Sequence, residues 1–387
     1  MNKEMVGKIF GCIVLGAIIT VIGIVAVVMT ALNAQERVYS LLVAVTTVVF
    51  IIYIIGQMFA PQKSRLWNRA LFVYFLFCTL PVAGYEISSY YHNSVPVVSE
   101  AEVDLEQYKP FDTGSKIQTL DQPATLSLQS DLPRIDGATA LYPLYAAFVQ
   151  AVYPEKAYDL DHGEVMVSKT PKAYENLIEG KVDVIFAAGP SEQQLAAAKE
   201  KGVELKMTPI GREAFVFFVN AENPVQDLTT QQIQDIYTGD IISWDEVGGG
   251  YELIRPFQRP ENSGSQTMLL KIMGDKPLID APQKDVVTGM GGIIERTADY
   301  KNYSNAIGYS FLFYTTEMVR NGNIRLLAID GVTPNKETIK NRAYPFAAEF
   351  YAVTAGTDNP NTAKLIEWIL SPQGQQLVEK TGYIPVK

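Results

Sequence analysis

No charged residue stands between Lys8 and Glu36, and none stands between Arg37 and Lys63. Each run exceeds the roughly 20 apolar residues that span a bilayer as a helix, so the start of the chain reads as membrane-embedded. A third run, Ala70 to Tyr85 (ALFVYFLFCTLPVAGY), is shorter and holds Pro81. Alone it could be an interfacial or a core helix, but Tyr85, Tyr90 and Tyr91 beside it suit a membrane boundary. Lys3 and Lys8 precede the first run, and Lys63, Arg65 and Arg69 sit without acids between the second and third. The loop between the first two runs carries only Glu36 and Arg37. This bias puts the N-terminus and the 61–69 loop in the cytoplasm and, with three spans, everything after about residue 93 outside. A cleaved signal peptide is the other reading of the first run. Its length, and the second run directly behind it, argue against cleavage.

The 48% hydrophobic share of the 387 residues is inflated by these runs. The length allows an anchor plus one bilobal or two small domains. Cys12 and Cys78 both fall in the membrane runs, so the exported part has no disulfide available and relies on an ordinary core. His92 and His162 lie far apart with no cysteine or acidic cluster at ligand spacing, and neither a metal nor a cofactor is expected. Net charge is −10 and basic residues do not cluster in the exported part, which argues against nucleic acid as a partner.

Residues 94–127 lack helical periodicity and carry turn formers throughout, the pattern of a linker that drapes over a domain. Beyond it apolar patterns alternate. LYPLYAAFVQAVYP reads as a helix, EVMVS as a strand, PKAYENLIEG as a helix capped by Gly180, and VDVIFAA as a strand. AFVFFVN is a further strand, LTTQQIQDIYTG a helix and NAIGYSFLFY a strand-to-helix unit. The expected class is α/β, with mainly parallel sheets covered on both faces and a ligand beyond the carboxyl ends of the strands.

Three helix starts share one chemistry. Asp136-Gly-Ala-Thr-Ala precedes the first exported helix, and Ser168-Lys-Thr-Pro the second, with Thr170 as N-cap and Pro171 at the first helical position. RPENSGSQT, from Arg259 to Thr267, runs into the apolar MLLKIM. Each start offers hydroxyls and the free amides of a first helical turn, which suit an anion. Arg259 can grip two oxygens at once and is the only formal positive charge placed here. The alternative is three unconnected caps and a surface arginine.

Several segments resemble a known family. DGATALYPLYAAF, IGREAFVFFVNAENPVQDLTTQQIQDIYTGDIISWDEVGG, RPENSGSQT, NAIGYSF, YPFAAEFYAV and SPQGQQLVEKTGYIPV, in this order over about residues 130–387, look like the phosphate-binding proteins of Pst-type ABC importers. The resemblance implies a type II periplasmic-binding-protein fold, two α/β lobes closing like a hinge on a buried phosphate. Residues 1–93 would be a three-helix anchor, 94–127 a linker and 128–387 the bilobal domain. One lobe would take about 128–218 and 340–387, the other about 219–339. Thr139 with the amide of Ala140, Thr170, Arg259, Ser263, Gly264 and Ser265 would contact phosphate. The implied partners are inorganic phosphate and ABC permease subunits in the membrane, with the binding protein itself a monomer. Several spans are not typical of this family, whose members are mostly periplasmic or lipid-anchored.

One further departure bears on selectivity. After the strand VDVIFAA many family members place an aspartate that accepts a hydrogen bond from protonated phosphate, whereas this chain reads Ala187-Ala-Gly-Pro-Ser191. Glu213 or Asp136 could replace it, and each could equally be a surface or capping acid. Two other functions are open to the sequence. One is a sensor or interaction protein that binds phosphate or another tetrahedral oxyanion without transport. The other is an enzyme with Ser263 or Ser265 as nucleophile, which the absence of a nearby histidine and of a G-x-S-x-G elbow disfavours.

Overall fold

The computed structural model describes residues 3–33, 37–94, 97–98, 104–259, 261–280, 300–318 and 323–386. The chain divides into two compact units, Met1–Ser94 and Val95–Lys387.

The first unit is helical: Lys3–Asn33, Arg37–Phe59 and Ser64–Ser94. All three helices are long and apolar enough to cross a membrane. Small residues let them approach closely. A Cβ at Gly23 would stand 2.4 Å from Thr47 Cγ2, and one at Gly56 would stand 2.3 Å from the Trp67 ring. The Cys12 thiol donates to Met58 Sδ at 3.3 Å.

The second unit is built on one long strand, Lys206–Asn220. Its first part pairs antiparallel with Ala347–Thr354, from Lys206↔Thr354 to Ala214↔Ala347. Its second part pairs antiparallel with Ala306–Phe311 and Ile324–Leu326. Outward from Ala347–Thr354 the sheet continues through Val184–Ala187 to Ile135–Gly137, and beyond Ala306–Phe311 it ends at Arg255–Pro256. Within this sheet parallel pairing is confined to the flanks, Ile135–Gly137 with Val184–Ala187 and Arg255–Pro256 with Ala306–Phe311, and a separate parallel pair joins Asp227–Leu228 to Ala328–Ile329. The expectation of mainly parallel sheets is therefore corrected to a mixed sheet. Lys206–Asn220 and Ala347–Thr354 run past each other in opposite directions, and alternation of apolar residues carries no information on strand direction.

Two large cores and two smaller apolar clusters, around Tyr174 and around Phe257, pack on this sheet among the described residues. Helix Tyr142–Val152, apolar on nearly every face, packs with Phe186, Phe350, Leu365, Trp368 and Leu377. Phe215, Phe217, Ile233, Tyr237, Trp244, Leu269 and Tyr309 form the other large core. Helix ends follow local chemistry. Thr229 and Gln232 form a capping box at the start of Thr230–Thr238, which ends at Gly239 with φ +85°. Gly180, with φ +69°, follows the cap residue Glu179 of Lys169–Ile178. The expected strand EVMVS is only a bridge, Val165 to Ile135.

Segment 104–127 lies on the first core. Leu105, Tyr108, Phe111, Ile117, Leu120, Ala124 and Leu126 pack against it half-buried. Gln373 ties the segment down by accepting from Thr125 N–H at 2.8 Å and donating to the Pro123 carbonyl at 2.9 Å.

Candidate functional site

Residues from four segments distant in sequence line one cavity of about 230 Å³, the fourth being Ser310, Phe311 and Tyr314. Ala138, Thr139 and Ala140 come from the turn after strand Ile135–Gly137, and Lys169, Thr170 and Pro171 from the start of helix Lys169–Ile178. Arg259, Glu261, Ser263, Gly264 and Ser265 come from the loop and start of helix Gly264–Met273. All seven ligand-binding candidates of the sequence, Thr139, Ala140, Thr170, Arg259, Ser263, Gly264 and Ser265, are among them. Asp136 is not, and Glu213 lies behind the wall.

The turn after Gly137 can bend into the site because Gly137 lacks a side chain, a Cβ there standing 2.5 Å from the Phe186 carbonyl. Thr139 opens a short 3₁₀ turn, Thr139–Leu141, and is buried. The Ala140 carbonyl accepts from the Tyr383 hydroxyl, whose ring packs on Phe313 and Phe350 at 4.6 and 4.9 Å between centroids. The C-terminal segment thus fixes the turn that carries Ala140.

The second helix start differs in detail from the sequence reading. Helix Lys169–Ile178 begins one residue before Thr170, and Ser168 takes the N-cap position without capping. The reason is Asp136. Its carboxylate accepts from Gly137 N–H at 2.7 Å, Ser168 N–H at 2.8 Å, Asn176 Nδ2 at 2.9 Å and the Ser168 hydroxyl. Drawn to that acid, the Ser168 hydroxyl is turned away from the helix amides, while Thr170 sits in the first turn against the cavity. Asp136 itself is fully buried and holds two chain segments together.

At the third start Ser263 is the N-cap and accepts from Gln266 N–H at 3.2 Å. Its hydroxyl proton remains available to donate. Gln266 Oε1 accepts from Arg259 N–H at 2.9 Å and from the Tyr309 hydroxyl, which also accepts from Arg259 N–H at 2.9 Å. The buried Gln266–Tyr309 pair therefore sets where Arg259 leaves the backbone. Gly264 lets the walls come close, since a Cβ there would meet Ala188 Cβ at 3.3 Å and Thr170 Oγ1 at 3.5 Å.

Glu213 and Ala188 line a smaller void of about 30 Å³ that shares Ala138, Ala140, Thr170, Gly264 and Phe311 with the main cavity. That is about one water molecule's share of liquid volume. Burial pushes the Glu213 carboxyl up to about 8, opposed in part by the Phe313 N–H that donates to Oε1 at 2.5 Å. Near neutral pH it is protonated.

Hydrogen bonds join the two walls at the rim. The Ser191 hydroxyl donates to Asn262 Oδ1 at 2.8 Å, Asn262 Nδ2 to Gln193 Oε1 at 2.8 Å and Gln193 Nε2 to Glu261 Oε1 at 2.8 Å. Asn262 reaches them with φ +65°, a conformation asparagine tolerates better than most residues.

Sequence reasoning missed Lys169, a second positive charge on the cavity wall, together with Glu261, Ser310, Phe311 and Tyr314. Lys169 stood in the quoted Ser-Lys-Thr-Pro start and was the one of these with a local signal.

Residues 123–373 match a family model described as a PBP superfamily domain. The phosphate-binding protein PstS of Bacillus subtilis is 25% identical over 256 residues, which cover 65% of this chain and 80% of that protein. PstS of Borreliella burgdorferi is 25% identical over 218 residues, covering 54% of this chain and 76% of that protein. Among solved structures, a putative phosphate ABC transporter substrate-binding protein from Clostridium perfringens with bound phosphate aligns with TM-score 0.48 and 24% identity, over 67% of this chain and 100% of that one. The family match spans well over half of the chain, both sheet flanks and all four segments of the cavity: the protein belongs to the PBP superfamily.

Proposed function

We propose that the cavity binds inorganic phosphate and that the chain is a membrane-anchored, extracytoplasmic receptor delivering phosphate to an ABC permease. The observation that carries this reading is that Thr139, Ala140, Thr170, Arg259, Ser263, Gly264 and Ser265 line one cavity. Its relatives in Bacillus subtilis and Borreliella burgdorferi are named phosphate-binding proteins. Arg259 takes two phosphate oxygens in a charge-assisted pair. The hydroxyls of Thr139, Thr170, Ser263 and Ser265 and the first-turn amides take the rest, with the helix dipoles favouring negative charge. Lys169 adds the second positive charge that a dianion calls for.

Lobes of about 128–218 with 340–387, and of about 219–339, close on the ligand about Lys206–Asn220. Residues 1–93 anchor a monomer with its N-terminus in the cytoplasm, and 94–127 tether the domain outside. Only above pH about 8, where it ionises, can Glu213 accept a hydrogen bond from phosphate across the small void; Asp136, its oxygens already engaged, has the structural role. No histidine is among the described residues lining the cavity, so Ser263 and Ser265 have no imidazole base beside them.

Calorimetric titration of the full-length chain in detergent with phosphate should give a Kd below about 10 μM. No binding of phosphate at millimolar concentration would overturn the reading. A protease applied outside intact cells, or to spheroplasts where an outer layer blocks access, should cut beyond about residue 95 and spare the 61–69 loop. A receptor that senses without transport is favoured by one feature, a hydrogen-bonded polar cluster of Tyr53, Gln57 and Asn68 on largely apolar helices. Loss of phosphate uptake on deletion of the gene distinguishes delivery from sensing.

A further inference from the structure

The cavity is larger and less polar than a bare tetrahedral anion needs. It measures about 230 Å³, against roughly 30 Å³ for a water molecule in the liquid, and inorganic phosphate has only five heavy atoms. Most donors gather at the helix starts, while Pro171, Phe311 and Tyr314 form an apolar stretch of the remaining wall, which Ser310 and Glu261 also line. Separated lobes do not account for the surplus, because Ser191 and Gln193 already hydrogen-bond to Asn262 and Glu261 across the rim. Tyr314 also opens a π-helical turn, Tyr314–Met318, a rare distortion frequent at functional sites.

The donor set points the same way. Inorganic phosphate near neutral pH always carries a P–OH and needs an acceptor for it. Among the described residues lining the main cavity the one carboxylate is Glu261, exposed at the rim and engaged by Gln193 Nε2. Ala188 occupies the loop after strand Val184–Ala187 where an acid would reach in, and Glu213 is a void away. A phosphomonoester, with its second pKa near ~6, is a dianion at pH 7.5. It presents acceptors only, which suits a wall of donors, and its organic group covers apolar surface that would otherwise order water.

We propose that the site takes phosphomonoesters, with the phosphoryl group held by Arg259, Thr139, Thr170 and Ser265 and the organic substituent packed against Pro171, Phe311 and Tyr314. This rests on the reading of the cleft as a phosphoryl-binding site and extends its ligand class.

The test is calorimetric titration of the full-length chain in detergent at pH 7.5 with phenyl phosphate and, separately, inorganic phosphate. Phenyl phosphate should bind at least about tenfold more tightly, as expected for one buried ring. In Tyr314→Ala the advantage should shrink to about threefold or less. Phosphate binding with phenyl phosphate equal or weaker would overturn the inference and leave the phosphate receptor standing. Phenyl phosphate binding without phosphate would support the inference and overturn inorganic phosphate as the ligand. Binding of neither would overturn both, and an undiminished advantage in Tyr314→Ala would overturn the placement of the substituent.

Discussion

Asp136 and Glu213 are both buried acids next to the cleft, and the fold treats them in opposite ways. Asp136 accepts four hydrogen bonds, from Gly137 N–H, Ser168 N–H, the Ser168 hydroxyl and Asn176 Nδ2. Glu213 accepts one among the described residues, from Phe313 N–H, and borders a void. A carboxylate surrounded by donors is solvated by the protein and becomes a fixed joint. With a single donor, burial drives the carboxyl to its neutral form. The first acid shapes the wall of the site; the second can respond to pH and to what fills the cavity.

Asp136→Ala should show the largest effect. It strands the Gly137 and Ser168 amides and the Asn176 side chain in a buried place, and unsatisfied buried donors cost about 1–3 kcal/mol each. Denaturant unfolding of the full-length protein should show a loss of about 4 kcal/mol or more. A loss below about 1 kcal/mol would mean that this acid is not a joint.

Glu213→Gln should be smaller and dependent on pH. The folded value of about 8 lies above the ordinary 4.5, so between these limits the folded state holds a proton that the unfolded state has lost. Stability is then fullest below pH 4.5 and falls as pH rises through 8. The glutamine variant removes that fall and should be more stable than wild type at pH 8.5, by on the order of 2 kcal/mol, with little difference at pH 5. Parallel melting curves for the two proteins across this range would contradict the contrast with Asp136.

Selectivity sharpens the comparison further. Below pH about 8 the protonated Glu213 cannot reject sulfate; above it, the carboxylate accepts from phosphate and opposes an anion with no proton to give. The phosphate-to-sulfate affinity ratio should therefore rise about fivefold or more from pH 6.5 to 9, and stay flat in Glu213→Gln. The smallest effect belongs to the rim, where Gln193→Ala removes the bonds to Glu261 and Asn262. These are polar partners open to solvent, so phosphate binding should weaken only about threefold, mainly through faster release.

The parts of the site that were legible in the sequence are those made by local chemistry. Ser263 and Gly264 announce a helix start by residue type, and Arg259 stands close by in sequence. Thr170 was recognised for the cavity but misassigned as the cap, because the competitor for the Ser168 hydroxyl, Asp136, lies 32 residues away. Tyr314 and Phe311 carry no local mark of a ligand wall, and they reach it only because Ala306–Phe311 pairs with the long strand. In that strand, AFVFFVN was readable as an apolar run. The preceding KMTPIGRE is polar, holds Pro209, and pairs with Ala347–Thr354 across a register shift between Phe350 and Tyr351, a local irregularity that hides its period.

The measurement that bears most directly on the phosphate cradle is calorimetric titration of full-length Arg259→Ala beside the wild type. Arg259 is held at the cavity by a backbone bond to Gln266 and would supply the bidentate, charge-assisted contact. The variant should unfold at the wild-type temperature and bind phosphate at least about tenfold more weakly, with Arg259→Lys recovering only part of the loss. A folded Arg259→Ala protein with undiminished phosphate affinity would contradict the account.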